Sequence, residues 1–223
     1  MNWRNLVTVC LVLISFVRVT KAQTPIQEYT LDASRSFRLN AISVGVKCTP
    51  LLFEKAQLGT ITLTNGKIYE NIPFNINLNR GDLFIQTDGV DSDPFPVNNW
   101  VSVETGQGQK RLFSRERIGA KQEISELLWK GDGKRIVAVH RKTFIRPSTQ
   151  RDSYSGPQYD EFRHEINYFD IQGMNISEIK TTKRGLKAYA GSKEKEVHEL
   201  IKKEKLKLEN PEDFKLVVEL VNK

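Results

Sequence analysis

Along much of the chain, apolar and polar residues take turns one by one. In Thr60-Ile61-Thr62-Leu63-Thr64 the aliphatic residues fall on every second position, the side-chain period of a β-strand. Asn65-Gly66 follows, a dipeptide that supplies both positive-φ residues of a two-residue type I′ turn. Pairing across that turn sets Leu63 opposite Ile68 and Ile61 opposite Glu70. One face of the hairpin then collects Ile61, Leu63, Ile68 and Ile72, with Glu70 as its one polar member. The other face carries Thr60, Thr62, Lys67, Tyr69 and Asn71. Pro73 has no N–H to give a ladder and is expected to end the second strand.

The same beat continues. Phe74, Ile76 and Leu78 alternate with asparagines, Asn79-Arg80-Gly81-Asp82 has turn composition, and Leu83-Phe84-Ile85 resumes as a strand up to Asp88-Gly89. Asp91-Ser92-Asp93-Pro94-Phe95-Pro96 is too rich in proline and small polar residues for regular structure. Trp100, Val101 and Val103 begin another strand, broken near Gly106 and Gly108, and Arg111-Leu112-Phe113 follows. Leu127-Leu128-Trp129 and the segment from Arg135 to His140 flank Gly131-Asp132-Gly133-Lys134, a second hairpin signal. A third pair, Ile166 to Ile171 and Met174 to Ile179, is divided by Gln172-Gly173. The segment 147–156 reads as a long loop.

Near Ser192 the period changes. Ser192 offers a helix cap, and Val197, Leu200 and Ile201 fall at helical spacing in SKEKEVHELIKK. Asn210-Pro211-Glu212-Asp213 is a second start signal: a capping Asn, Pro in the first turn, then acids near the positive end of the helix dipole. Phe214, Val217, Val218 and Val221 form one apolar stripe. Helices this short are unstable alone in water, so they are expected to lie on each other and on the sheet, with Leu206 and Leu208 holding their connector down. The pattern predicts a mainly β protein, α+β overall. It would be an antiparallel β-meander forming a sandwich, roll or partly open barrel, followed by two short C-terminal helices.

The first residues do not share this beat. Arg4 precedes an apolar run of 11 residues, Leu6 to Phe16, and Thr20-Lys21-Ala22 ends with small residues where a signal peptidase reads. The run is well short of the ~20 residues of a membrane-crossing helix. Cys10 lies inside it, after Val9 where a lipoprotein needs a small residue. The expected organisation is a signal peptide over 1–22, a β domain over 23–190 and a helical pair over 191–223 packed on it. No later stretch approaches spanning length, and the girdled strand pattern of an outer-membrane barrel is missing. The expected location is the periplasm, the cell envelope or the exterior.

Charge narrows the partners. The chain carries 34 Lys and Arg against 27 Asp and Glu, a formal +7. Arg4, Arg18 and Lys21 belong to the leader, which has no acid, leaving 31 against 27, or +4, with the signs interleaved as in Lys193-Glu194-Lys195-Glu196. There is no concentrated basic stripe with aromatics, so nucleic acid is not an expected partner. The mild excess fits weak attraction to anionic glycan or lipid headgroups. Cys48 is the one cysteine beyond the leader, which excludes an internal disulfide and makes the fold depend on its core. Val44, Val46 and Cys48 share the strand period while Lys47 points the other way, so Cys48 is expected buried on the valine face rather than activated as a nucleophile.

GTITLTNGKIYENIPFN, the strand series ending in LWKGDGK, YDEF and the tail KEKEVHELIKKEKLKLENPEDFKLVVELVNK together resemble a group of uncharacterised exported proteins of Bacteroidota. The resemblance spans most of the chain from about Gly59 onward. It implies export and a β-rich fold. No activity is established for that group, and no site residues carry over.

Candidate chemistry is densest in Tyr159-Asp160-Glu161-Phe162-Arg163-His164-Glu165. Asp160 and His164 are four apart, as are Glu161 and Glu165, and a helical turn would bring each pair together. Histidine beside carboxylates suits a general acid/base pair or half a metal site. That pattern points to a hydrolase or metal-dependent enzyme centred on Asp160, His164 and Glu165, aided by His140. The competing reading is a charged, solvent-facing segment anchored by Tyr159 and Phe162. A metal site needs three or four converging ligands, and His140 and His198 lie at no ligand-like spacing, so no metal or cofactor is expected. No Gly-x-Ser-x-Gly elbow occurs. Gly106-Gln107-Gly108 and Gly131-Asp132-Gly133 lack the further Gly or Lys of a phosphate cradle and read as turns. Trp100, Phe113, Trp129 and Tyr168 fit a sugar-stacking platform or, more simply, a core. The leading expectation is a non-enzymatic exported protein that binds or scaffolds an envelope protein or glycan.

Overall fold

A computed structural model of the chain describes residues 46–87, 93–106, 108–145 and 160–223. The expected leader with Cys10, Asp88-Gly89, the loop 147–156 and Tyr159 lie outside them. Among the described residues, eleven strands form one open, largely antiparallel sheet. β1 (Val46–Lys47) comes first in the chain. β2 (Gln57–Leu63), β3 (Ile68–Asn77), β4 (Asp82–Ile85) and β5 (Phe95–Val97) then run as successive neighbours. β6 (Trp100–Thr105) returns to the other side of β2. From there β7 (Leu112–Ile118), β8 (Lys121–Gly131), β9 (Lys134–Ile145) and β10 (Asp160–Gln172) each pair with the strand before. The outer side of β10 carries β11 (Asn175–Ile179), antiparallel, and β1, parallel.

Only Asn98 and Asn99 separate β5 from β6, yet four inter-strand steps lie between them in the sheet. Laid flat, those steps would span roughly 19 Å, at about 4.8 Å each. Chain running from Val97 to Trp100 reaches at most about 11 Å. The β2–β6 strip therefore has to curl, and its inner face gathers Ile61, Phe74, Ile76, Leu83, Trp100 and Val103, joined by Phe113 of the next strand, into one core. Gly59 permits a tight curl, because a Cβ there would sit 2.5 Å from the Glu104 carbonyl oxygen and from the Phe74 ring. No β5–β6 ladder closes the strip. Arg115 of β7 ties its mouth, donating to the carbonyls of Gly81 and Asn98 at 3.0 Å each, with its guanidinium 5.0 Å from the centre of the Trp100 ring.

The first hairpin keeps its strands but not its expected register. Gly66 N–H donates to the Leu63 carbonyl at 3.0 Å and Leu63 N–H to the Lys67 carbonyl at 2.9 Å. Gly66 has positive φ and Asn65 does not, so the loop is Thr64-Asn65-Gly66, a three-residue turn with a glycine bulge rather than type I′. Ile68 now faces Thr62, and Tyr69 faces Ile61. A one-residue slip turns every side chain to the opposite face, and Ile68 is left 60 % exposed instead of joining the core. A bulge at Asn71 (φ +56°) restores the inward phase before Phe74. By contrast, Asp132 and Gly133 both take positive φ between the paired Gly131 and Lys134, the two-residue turn expected there.

Three other expectations change. Pro73 does not end β3: its carbonyl accepts from Gln86 N–H at 3.0 Å, so its missing donor faces the end of the β4 ladder and not the interior β2 side. Phe95-Pro96-Val97 is not irregular but forms β5, where an edge tolerates proline. Cys48 is exposed, at φ +64°, because the strand phase has already ended at Lys47.

The two expected C-terminal helices follow the sheet, and a further short helix precedes them. α1 (Lys183–Ala190) is capped by Thr182, whose hydroxyl accepts from Gly185 N–H at 3.2 Å. A Cβ on Gly185 would collide with the Lys180 carbonyl, so glycine lets α1 begin hard against the end of β11. α2 (Glu194–Glu204) starts from a 3-10 turn, Gly191–Lys193, and has no side-chain cap, so Ser192 does not serve as one. α3 (Pro211–Val221) begins as expected, with the Asn210 side chain accepting from Glu212 N–H at 3.2 Å. Leu186, Val197, Phe214, Val217 and Val218 cover Leu128, Ile136, Ala138 and Tyr168 of the sheet. Among the described residues no helix is long and apolar enough to cross a membrane.

Candidate functional site

A polar line separates the curled core from the helix-covered one. On β8, Ile124 belongs to the first core and Leu128 to the second, and Glu126 stands between them at 3 % exposure. On β9 the buried polar residue is His140, diagonal to Glu126 and at 2 %. Cross-strand register explains their meeting. Phe113 pairs with Glu126, Glu126 with Ala138, and His140 with Ile166, so Arg111, Glu126, His140 and His164 are successive two-residue diagonals across β7 to β10. Diagonal neighbours are within reach of long side chains. One line of contacts results.

Arg111 grips Glu126 in a fork, Nε to Oε1 at 2.8 Å and Nη2 to Oε2 at 2.7 Å. Its backbone is held by Thr105, whose Oγ1 accepts from Arg111 N–H at 2.9 Å, and its guanidinium lies 5.1 Å from the centre of the Phe113 ring. His140 Nε2 is 3.0 Å from Glu126 Oε2, and His140 Nδ1 is 3.3 Å from His164 Nε2, the two rings stacked with centroids 5.4 Å apart. Beside them, Lys142 Nζ donates to the carbonyls of Thr49 at 2.9 Å and Leu51 at 2.5 Å. That pair of bonds fixes the chain leading from β1 to β2 against β9.

Electrostatics follow from this geometry. Burial pushes the Glu126 carboxyl up, but hydrogen bonds and charge from Arg111 and His140 pull it down to about 2. Glu126 is thus a fixed anion, unsuited to donate a proton near neutrality. Burial lowers the Lys142 ammonium, against the pull of Cys48 and Glu54. At His164, burial of the edge turned toward His140 comes first and the charges of His140, Lys142 and Arg111 second, bringing the imidazole down to about 4 although the residue as a whole is exposed.

Acid should therefore weaken the fold. Both groups bind fewer protons folded than unfolded. His164, ordinarily at 6.5, withdraws stability as pH falls from about 6.5 to about 4; Glu126, ordinarily at 4.5, does so from about 4.5 to about 2. Urea midpoints measured from pH 7.5 down to 4.5 are expected to decline, with a flatter decline in His164→Ala. A midpoint that held level or rose on acidification would contradict this.

The sequence-derived trio is not assembled. Residues 160–172 are a strand, not a helical turn. Asp160 and His164 share a face but stand roughly 13 Å apart along it, and Glu165 points to the opposite face. Asp160 instead pairs through its backbone with Val46, and Glu161 forms an ion pair with Arg163 at 2.9 Å. His140, expected only as an aid, is the group that His164 meets. Arg111, Glu126 and Lys142 were not singled out by the sequence, although an acid at the apolar phase of Ile124-Ser125-Glu126-Leu127-Leu128 marks a buried carboxylate in need of a partner. Trp100, Phe113 and Tyr168 are buried core rather than a stacking platform. Among the described residues no three His, Cys, Asp or Glu side chains gather as metal ligands. Compared with protein-family models, curated proteins and solved structures, the chain matches none.

Proposed function

We propose that the protein is an exported, non-enzymatic component of the cell envelope that acts by binding or scaffolding, taking up an extended segment of a partner protein along its sheet. One observation carries this. From Ile68 to Ile72, β3 has β2 on one side and, among the described residues, no strand on the other, and it presents Ile68 and Tyr69 at 60 % and 45 % exposure. Unpaired backbone donors and acceptors beside apolar side chains are what an added strand recognises. The leader pattern over 1–22 and the family resemblance support export. Catalysis has less support, because Glu126 is locked by Arg111 while Asp160 and Glu165 stand away from His164.

A photo-crosslinking residue at position 68 is expected to capture a discrete envelope protein in intact cells. The double substitution Ile68→Lys, Tyr69→Lys, made at exposed positions, should abolish a Tyr69-dependent complex while changing stability by only about 0.5 kcal/mol. Turnover of a hydrolase substrate by the purified chain, lost in His164→Ala, would overturn the proposal.

A further inference from the structure

The buried diagonal ends where a ring nitrogen of one imidazole meets a ring nitrogen of a second. Glu126, held by the Arg111 fork, accepts hydrogen bonds, so the Nε2 of His140, 3.0 Å from Glu126 Oε2, is the nitrogen that carries a hydrogen toward it. Nδ1 of His140 is the ring nitrogen left over from that contact, and it lies 3.3 Å from Nε2 of His164. Two imidazole nitrogens on one ion, each bound at about 2.0–2.1 Å with a near-tetrahedral angle, stand roughly 3.3 Å apart. The observed spacing matches that bite, as it also matches a hydrogen bond between the two rings.

We propose that His140 Nδ1 and His164 Nε2 form a two-histidine site for one exchangeable divalent transition-metal ion of the copper(II) or zinc(II) class. The carboxylate behind His140 supplies what metal-bound imidazoles usually have: a hydrogen-bond acceptor that fixes the tautomer, aims the ring and strengthens the donor nitrogen. Imidazole ligands select this class of ion over magnesium or calcium, and affinity along the series peaks at copper(II). His164 is exposed, so it can turn about its own side-chain torsions to aim Nε2, and water or an external ligand completes the coordination shell from the solvent side. His140 is fixed.

Two cations oppose the ion. Arg111 is neutralised in its fork with Glu126, and the Lys142 ammonium is directed onto the Thr49 and Leu51 carbonyls. Their residual charge and the lack of a third protein ligand make the site a weak, exchangeable one rather than a structural centre. It is independent of whether the β3 edge receives a partner.

The test is calorimetric titration of the full chain with copper(II) and zinc(II), followed by electron paramagnetic resonance of the copper-loaded protein. One ion per chain is expected, with nitrogen hyperfine structure from two imidazoles. His164→Ala, at an exposed position, should weaken copper binding at least about 100-fold, beyond the 10–100-fold typical of losing only an outer partner. His198→Ala, on α2, should bind as the parent does. Undiminished affinity in His164→Ala, a signal from a single nitrogen, or no binding at millimolar copper would each overturn the assignment.

Discussion

Phe214→Ala is expected to remove about 3–5 kcal/mol of folding stability, the range for truncating a fully buried aromatic. Phe214 has no exposed surface, and its ring stacks on Tyr168 at a centroid distance of 3.9 Å and 27°. Tyr189 of α1 approaches its other side at 6.3 Å. The side chain thus joins α3, α1 and β10 at one point. A cavity there is bounded by a sheet ladder below and two helices above, none of which can move in without breaking its own bonds, so little of the loss is recovered by collapse. Against a typical total of about 5–15 kcal/mol, that is a large fraction, and the melting temperature should drop by on the order of 10 °C. Leu216→Ala on the same helix is the control. It is 43 % exposed and should cost under about 1 kcal/mol. If the two variants unfolded at the same urea concentration, the helices would not be the cover of the sheet's second core.

How much of this was legible depended on the range of the interactions involved. Local chemistry could be read. Asp132-Gly133 formed the expected tight turn, Asn210 and Pro211 started α3, and Phe214, Val217 and Val218 became its buried stripe. The Asn65-Gly66 turn shows the limit of local reading, because the same dipeptide serves a two-residue or a three-residue loop. The choice was made by β6, which pairs with the far side of β2 and sets Val103 against Ile61 in the curled core. Helix α1 was missed because only Leu186 and Ala190 of its eight residues are buried, too few to mark a period. The site was half legible. His164 was singled out, but with neighbours four residues away in sequence, when its real contact is 24 positions distant and arises from strand pairing. Diagonal neighbours on a sheet leave no spacing in sequence. What they do leave is a polar residue on an apolar beat, as at Glu126 and His140.

Glu126→Gln is expected to cost roughly 3 kcal/mol, the low end of the range for breaking a buried ion pair from one side. The amide keeps the volume and removes the charge. Its NH2 group must then face either the Arg111 fork or the His140 N–H, donor against donor, where the carboxylate accepted from both. A second route gives the same magnitude. A carboxyl that ordinarily titrates at 4.5 and is held at about 2 in the fold contributes on the order of 3 kcal/mol above its ordinary range. That contribution is present above about pH 4.5 and is lost as pH falls toward about 2, so the glutamine variant should lose the acid-dependent limb of stability below pH 4.5 as well as stability at neutrality. The paired substitution Arg111→Met, Glu126→Leu separates charge from shape. With both ions gone, no uncompensated charge remains, and the residual cost is the unsatisfied His140 N–H, about 1–3 kcal/mol. A double variant more stable than Glu126→Gln would mean that the line between the two cores is held by mutual neutralisation rather than by any need for charge there. A glutamine variant within 1 kcal/mol of the parent, with its acid limb intact, would show that Glu126 is not the anion on which Arg111 and His140 depend.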